Sequence, residues 1–411
     1  NRDFFMANLA ETQAFNRQLW GQWMPQIVHN AHQSGPAGSI LFVPPYRDPF
    51  NYNMDPLVVI GIDMVGAAIT SRFLTEGKGG SASVGEASYS TWGSSLLHVT
   101  PEFHNQIGIL TEIIGNPTPM EVSLVLDRQL PHGDLPLPIA PQPWHLKQSI
   151  DYVLSAQRAM IDLAARNKDL MLYRMWRMGM NSIERGSKDH WTLQPSWIEQ
   201  AKAAAAKEAA SDPPGEARVG AAVVVPSKYY DLMRTPERRD ARGYIIPSNQ
   251  PDFLTATKFV NALIRGGIEV HRATSTFQVA GKSYPAGSYV LKAAQAFRPH
   301  LRDMMEPQDK PSEFFYPGGP PKPPYDATGY TLAFQMGVQF DRVLDAFDGP
   351  FEKLPFGQVI TVAAGKVVAP PGTVTGYLLS HQVRDSFAAT NRLLGAKEDV
   401  WWLKAPLTVG G

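Results

Sequence analysis

Residues 27–35, Ile27-Val28-His29-Asn30-Ala31-His32-Gln33-Ser34-Gly35, set the frame for the rest of the chain. A short apolar run behind Pro25 gives way to polar residues and a glycine. That is the pattern of a buried strand whose end emerges at a sheet edge. In open α/β sheets ligands gather at such strand ends. A histidine there can offer a neutral ring nitrogen to a metal, although a hydrogen-bonded core histidine is the commoner case. Side chains alternate along a strand, so His29 and His32, three residues apart, point to opposite faces.

Outward from this stretch, helices alternate with short apolar runs. Residues 11–24 carry Phe15, Leu19, Trp23 and Met24 at helical spacing and stop at Pro25. A second strand is expected at 39–43, a Pro-rich loop at 44–56, and a helix at 57–75 closed by Gly77. Residues 77–95, rich in Gly, Ser and Thr, read as an excursion over a surface or a site. Strands are expected at 108–114 and 121–126. Residues 144–185 are helical in period, with Ile150, Val153, Leu154, Ile161 and Leu163 on one face. Met171, Met175, Met178 and Met180 read as core filling.

The fold class is therefore α/β: a mixed or mainly parallel sheet flanked by helices, then a smaller α/β domain and the start of a further βαβ unit. Residues 1–185 form the first domain with its trailing long helix. Residues 186–218, with an Ala/Lys/Glu-rich helix and Asp212-Pro213-Pro214-Gly215, are a linker. An accessory α/β domain spans 219–345, with a βαβ signature at 243–272 and strands at 277–280 and 288–291. Residues 346–411 are β-rich and open a βαβ unit with strands at 376–380 and 400–403.

Composition narrows the function. The 411 residues hold 38 Lys+Arg against 38 Asp+Glu, which argues against a broad basic footprint for nucleic acid. No run of eighteen uninterrupted apolar residues occurs, so no membrane span is expected. Cysteine is absent, which excludes disulfides, thiolate metal sites and cysteine nucleophiles in this chain. The start Asn1-Arg2-Asp3-Phe4-Phe5 and the end Val409-Gly410-Gly411 read as those of an internal fragment of a longer protein.

Glu112 lies among apolar neighbours in Gly108-Ile109-Leu110-Thr111-Glu112-Ile113-Ile114. Such a carboxylate is either paired with a cation or placed at a cleft with a raised pKa, which suits a general base. Arg2 has the planar fork that grips a carboxylate in two places.

With these residues in view, the chain resembles the zinc carboxypeptidase family, the carboxypeptidase A/B-like peptidases, in its large multidomain bacterial branch. The resemblance rests on Asn1-Arg2-Asp3-Phe4, Glu11-Thr12-Gln13-Ala14, Trp23-Met24-Pro25-Gln26, and residues 27–33 ending in His32-Gln33. It continues through Phe42-Val43-Pro44-Pro45-Tyr46, Thr100-Pro101, His104-Asn105 and Gly108-Ile109-Leu110-Thr111-Glu112, over roughly the first 130 residues.

The resemblance implies a role for each of five residues. His32 is the downstream protein ligand of one zinc ion. Asn1 and Arg2 bind the free C-terminal carboxylate of a peptide substrate, and Glu112 is the general base for zinc-bound water. Tyr89 falls near the family's substrate-capping tyrosine. The implied function is zinc-dependent carboxypeptidase hydrolysis, in a secreted or periplasmic protein. The sequence departs from the family in three places. No His-x-x-Glu, the source of the other two zinc ligands, occurs in the chain; the acidic residue just ahead of Asn-Arg would precede Asn1; and Asn30 stands where an acidic residue is usual. The fragment is therefore expected to hold zinc weakly or not at all on its own, since a catalytic zinc keeps three protein ligands. The alternative is a non-catalytic carboxypeptidase-like binding or scaffold protein. A further reading places the function after Val219, in an amidotransferase-like or sugar-binding module. The absence of cysteine leaves that module a binding or packing role.

Overall fold

Pro25 ends an N-terminal helix, and the apolar run behind it becomes a strand that includes His32. In the computed structural model, the described residues are 2–211, 218–219, 222–316, 318–326, 330–361, 367 and 372–407. Helix α1 (Ala10–Asn16) continues as a π-turn over Arg17–Gln22, where the Trp23 amide donates to the Gln18 carbonyl five residues back at 2.9 Å.

The first sheet has strands β1 (Ile27–His32), β2 (Leu41–Phe42), β3 (Ser81–Ala82) and β4 (Ile107–Ile113), in the order β1-β4-β2-β3. β1 runs parallel to β4 with Ile27 opposite Ile107 and His32 opposite Glu112. β2 runs antiparallel to β4 and parallel to β3. The sheet is mixed, as expected. The strand expected at 39–43 is reduced to two residues, and that at 121–126 to Met120–Glu121, paired with Pro143–Trp144.

Helix α2 (Pro56–Thr75) covers one face of this sheet. Asp55 caps it by accepting the Leu57 amide at 3.0 Å, and Pro56 takes the first turn, where a missing N–H costs nothing. By length and mean hydropathy (1.8) α2 resembles a membrane span. Its stripe Val58, Ile62, Val65, Ile69 and Phe73 is nevertheless wholly buried, at 0% exposure, against the sheet and helix α3 (Leu146–Arg166). Each such side chain contributes roughly 1.5–3 kcal/mol. The long helical stretch breaks at Asn167 into α3 and α4 (Lys168–Ser187).

A second sheet is built from residues 243–353. Its strand order is Asp341–Val343, Gly243–Ile246, Tyr289–Lys292, His271–Ala273, Phe351–Lys353, and every neighbouring pair is antiparallel. The expected βαβ unit is present in split form, since both its strands run antiparallel to Tyr289–Lys292 and hence parallel to each other. Gly243–Ile246 and His271–Ala273 do flank the helix Phe253–Arg265, but Tyr289–Lys292 is inserted between them. Periodicity reports that a strand exists, not which strand lies beside it.

Three boundaries also shift. Phe5 packs into the second core, among Phe259, Leu263 and Met304. The stretch read as a linker contains α5 (Pro195–Ser211) and is docked through His190 and Thr192 onto Asp240. The segment after 345 adds the edge strand Phe351–Lys353 to the second sheet, and Ile360 exchanges two hydrogen bonds with Asn261. The strands expected at 376–380 and 400–403 are irregular and exposed, with Leu378 at 64% and Trp401 at 86%; the helix between them forms at Asp385–Gly395. An apolar alternation makes a strand only where a neighbour takes up its backbone groups. Within the stretch expected to be β-rich, residues 362–366 and 368–371 lie outside the described residues.

Candidate active site

Parallel pairing of β1 with β4 carries His32 and Glu112 to the same end of the sheet. Side-chain alternation then puts Val28, Asn30 and His32 on one face with Gly108, Leu110 and Glu112 of the neighbouring strand. His32 Nδ1 lies 3.4 Å from Glu112 Oε1, and the Ser34 amide donates to Glu112 Oε2 at 2.8 Å. His29 points to the opposite face, where its Nε2 is 2.8 Å from Thr111 Oγ1. Burial pushes its pKa down to about 4. It is a neutral structural histidine.

The site face is backed by a fully buried layer. His98 Nδ1 is 3.1 Å from Asn30 Nδ2, and its ring stands edge-on to His32 with centroids 5.8 Å apart. Burial, then the charges of His32 and Arg2, push His98 down to about 3, so it too is neutral. Gly108 allows this layer to approach: a Cβ there would lie 1.8 Å from the His98 carbonyl oxygen.

Glu112 is half-buried. Burial pushes its carboxyl above the ordinary range, and the nearby His32 and the Ser34 amide offset this only in part. A carboxylate with raised proton affinity, open on one side, suits proton acceptance near neutral pH.

Arg2 reaches the same place. Its Nε donates to Asp326 Oδ2 at 2.8 Å, with the guanidinium half-exposed, and its charge bears on both His98 and Tyr325. Asn1 lies outside the described residues.

Tyr89 is in the wall of the site rather than over it. Its ring is 2% exposed and packs edge-on against Tyr46 at 4.5 Å, Tyr325 at 4.8 Å and His98 at 5.2 Å. The loop that carries it is tied down, with Arg47 Nε donating to the Ser88 carbonyl at 2.7 Å and Asn51 Nδ2 to the Trp92 carbonyl at 2.9 Å. A capping role for Tyr89 would require this packing to open.

No family model, curated protein or solved structure matches this chain.

The donor set can be tested against zinc directly. His32 and Glu112 stand side by side, but among the described residues no group of three His, Asp or Glu side chains is placed to hold a metal ion. Two donors do not make a zinc site. The residues present do not fit the ion on their own, and no chemical step is routed through it.

His98 is the ordinary hydrogen-bonding histidine that its sequence context suggests. The residues that sequence reading missed are Tyr325 and Asp326. They follow a Pro-rich loop more than 200 positions downstream of Glu112. Nothing local marks them: Pro323-Pro324 signals an extended backbone, not its destination.

Proposed function

We propose that this chain carries the substrate-side half of a zinc carboxypeptidase-type site. Glu112 is the proton-accepting carboxylate, His32 a metal-facing histidine, and Arg2 the anchor for a peptide's free C-terminal carboxylate. The observation that carries the reading is convergence. His32 and Glu112 come from separate segments and meet at one end of one sheet, and the charge of Arg2 bears on His98 and Tyr325 beside them. A raised carboxyl at Glu112 matches the base role. Arg2 suits bidentate carboxylate recognition.

The reading needs two further metal ligands of the His-x-x-Glu type. The test is therefore made on the protein with any sequence its gene encodes ahead of Asn1. About one zinc per chain by atomic absorption, with release of C-terminal residues from peptides, is expected. Glu112→Gln should remove hydrolysis by a factor of about 10²–10⁴ while zinc content stays the same. Arg2→Ala should harm peptides with a free C-terminus far more than C-terminally amidated ones. Zinc near zero, or full turnover in Glu112→Gln, defeats the enzyme reading.

The second reading is a carboxylate-binding or scaffold protein without metal. It is favoured by the closed state of the polar groups: Arg2 is held by Asp326, and Glu112 by His32 and Ser34.

A further inference from the structure

A cavity of about 440 Å³ lies away from the His32–Glu112 face, between the π-turn of Arg17–Gln22, the C-terminal end of the helix Phe253–Arg265 and residues 356–359. Its volume falls in the range of small-molecule pockets. Two guanidiniums line it, Arg17 and Arg265, and among the described residues no carboxylate does. Among those residues neither arginine has an acidic partner. The closest polar contact of Arg265 is a long one, 3.5 Å from Nη1 to the Ala7 carbonyl. Arg17 is exposed and Arg265 half-buried, so both guanidiniums are open to an anion that enters the cavity.

The rest of the wall mixes the amides of Gln13, Asn16 and Gln22 with the apolar Ile264, Phe356 and Val359. Trp20 is 1% exposed and fixed by stacking on His104, with centroids 4.0 Å apart and planes within 13°. Phe356 is half-exposed across the cavity, and at Gly21 an added Cβ would stand only 4.0 Å from its ring. The helix end adds no competing negative charge, because the amides of Gly266, Gly267 and Ile268 take up the carbonyls of Ala262, Ile264 and Leu263. Asn16 Oδ1 and Trp20 Nε1, buried in the same wall, have no hydrogen-bond partner among the described residues. Buried polar atoms without partners mark places where a ligand or water belongs. The π-turn itself is the kind of helix defect that recurs at binding sites.

We propose that this cavity is a binding site for a small aryl anion, whose carboxylate or phosphate sits between Arg17 and Arg265 and whose ring lies against Phe356. It is independent of any reading of the His32–Glu112 site.

The test is calorimetric titration of the full chain with phenyl phosphate and with phenylacetate, and with inorganic phosphate and benzyl alcohol as controls. At least one aryl anion should bind about tenfold or more tightly than either control. The tighter of the two identifies the anionic group as phosphate or carboxylate. The double variant Arg17→Gln/Arg265→Gln should weaken binding by about tenfold or more. Gly21→Leu keeps both charges and fills the space, and should weaken it as strongly. Circular dichroism and thermal melts establish that both variants fold. No heat from either aryl anion at roughly 10 mM, or affinities in both variants within about twofold of the parent, would overturn the site.

Discussion

Glu102 is fully buried behind the site face, and neither of its carboxylate oxygens meets a hydrogen-bond donor among the described residues. Burial holds its carboxyl protonated, far above its ordinary value of 4.5. The fold therefore keeps a proton that the unfolded chain releases above that pH. Stability must fall as pH rises from there, by about 1.4 kcal/mol per pH unit, until the folded group ionises. Glu102→Gln keeps the shape and abolishes the titration. Urea unfolding between about pH 5 and about pH 8 should show a flatter slope and greater stability at the alkaline end for the variant. Parallel slopes would mean that Glu102 has a partner that the structure does not show. Glu102 was not legible as special, because Pro101-Glu102-Phe103 could as well place a carboxylate on the surface. The strand-end positions of His32 and Glu112 were legible, since apolar patterning and strand alternation are local properties, and parallel pairing brings the two side by side. Asp326 was not. Its contact with Arg2 spans 324 positions, and no local pattern encodes that distance.

At the scale of elements, the contents of α2 could be read from its sequence, whereas its fit could not. The stripe Val58, Ile62, Val65, Ile69 and Phe73 announces one buried face. The requirements of that face are visible only in space: a Cβ at Gly66 would lie 2.1 Å from the Pro44 carbonyl oxygen. Alanine gains up to about 1 kcal/mol of helix propensity over glycine, whereas overpacking costs about 1–3 kcal/mol. The obstacle at Gly66 is backbone and cannot rotate away, so Gly66→Ala should destabilise by about 2 kcal/mol. Gly179 in α4 is the control. Its Cβ would meet Ala296 Cβ at an ordinary 3.6 Å, so Gly179→Ala should be neutral or stabilise by up to about 1 kcal/mol. Denaturant midpoints of the two variants moving in the same direction would rule out backbone contact as the deciding factor. The Pro-rich segment ending at Asp326 makes a second test at this scale. If Arg2 anchors the substrate's carboxylate, Asp326 competes for it. Because the Arg2 side chain is 53% exposed, the pair is worth little, about 0.2–1 kcal/mol. Asp326→Asn should then lower KM for peptides with a free C-terminus by roughly two- to fivefold. Amidated peptides should not respond, and an equal change for both would separate Asp326 from carboxylate recognition.

Across the whole molecule, the two sheets were expected to belong to separate domains joined by a linker. They are tied instead by contacts such as Asn105 Nδ2 to the Ala296 carbonyl at 2.9 Å and Asn51 Nδ2 to Asp303 Oδ1 at 3.2 Å, and by an ion cluster around one buried carboxylate. Asp240 is 4% exposed and accepts from Arg298 Nη2 at 2.6 Å, from Thr192 N and Oγ1, and from His190. Arg302 Nη1 lies 2.9 Å from Asp240 Oδ1, although without hydrogen-bond alignment, while its Nε donates to Asn53 beside the first sheet at 2.9 Å. Burial works against the charged form of Asp240, but Arg302, His190 and Arg298 hold its carboxyl far below the ordinary carboxylate range. Breaking a buried pair of this kind leaves uncompensated charge, at a cost of about 3–5 kcal/mol. Asp240→Asn is nearly isosteric and strands two buried guanidiniums. Because Arg302 also holds Asn53, the loss should be felt on both sides of the junction. Calorimetry should show one transition moved to lower temperature, and not a split into one early and one unchanged melt. An unchanged first transition with only the second moved would show that the two cores unfold separately, and would return the segment 186–218 to the linker role that its composition suggested.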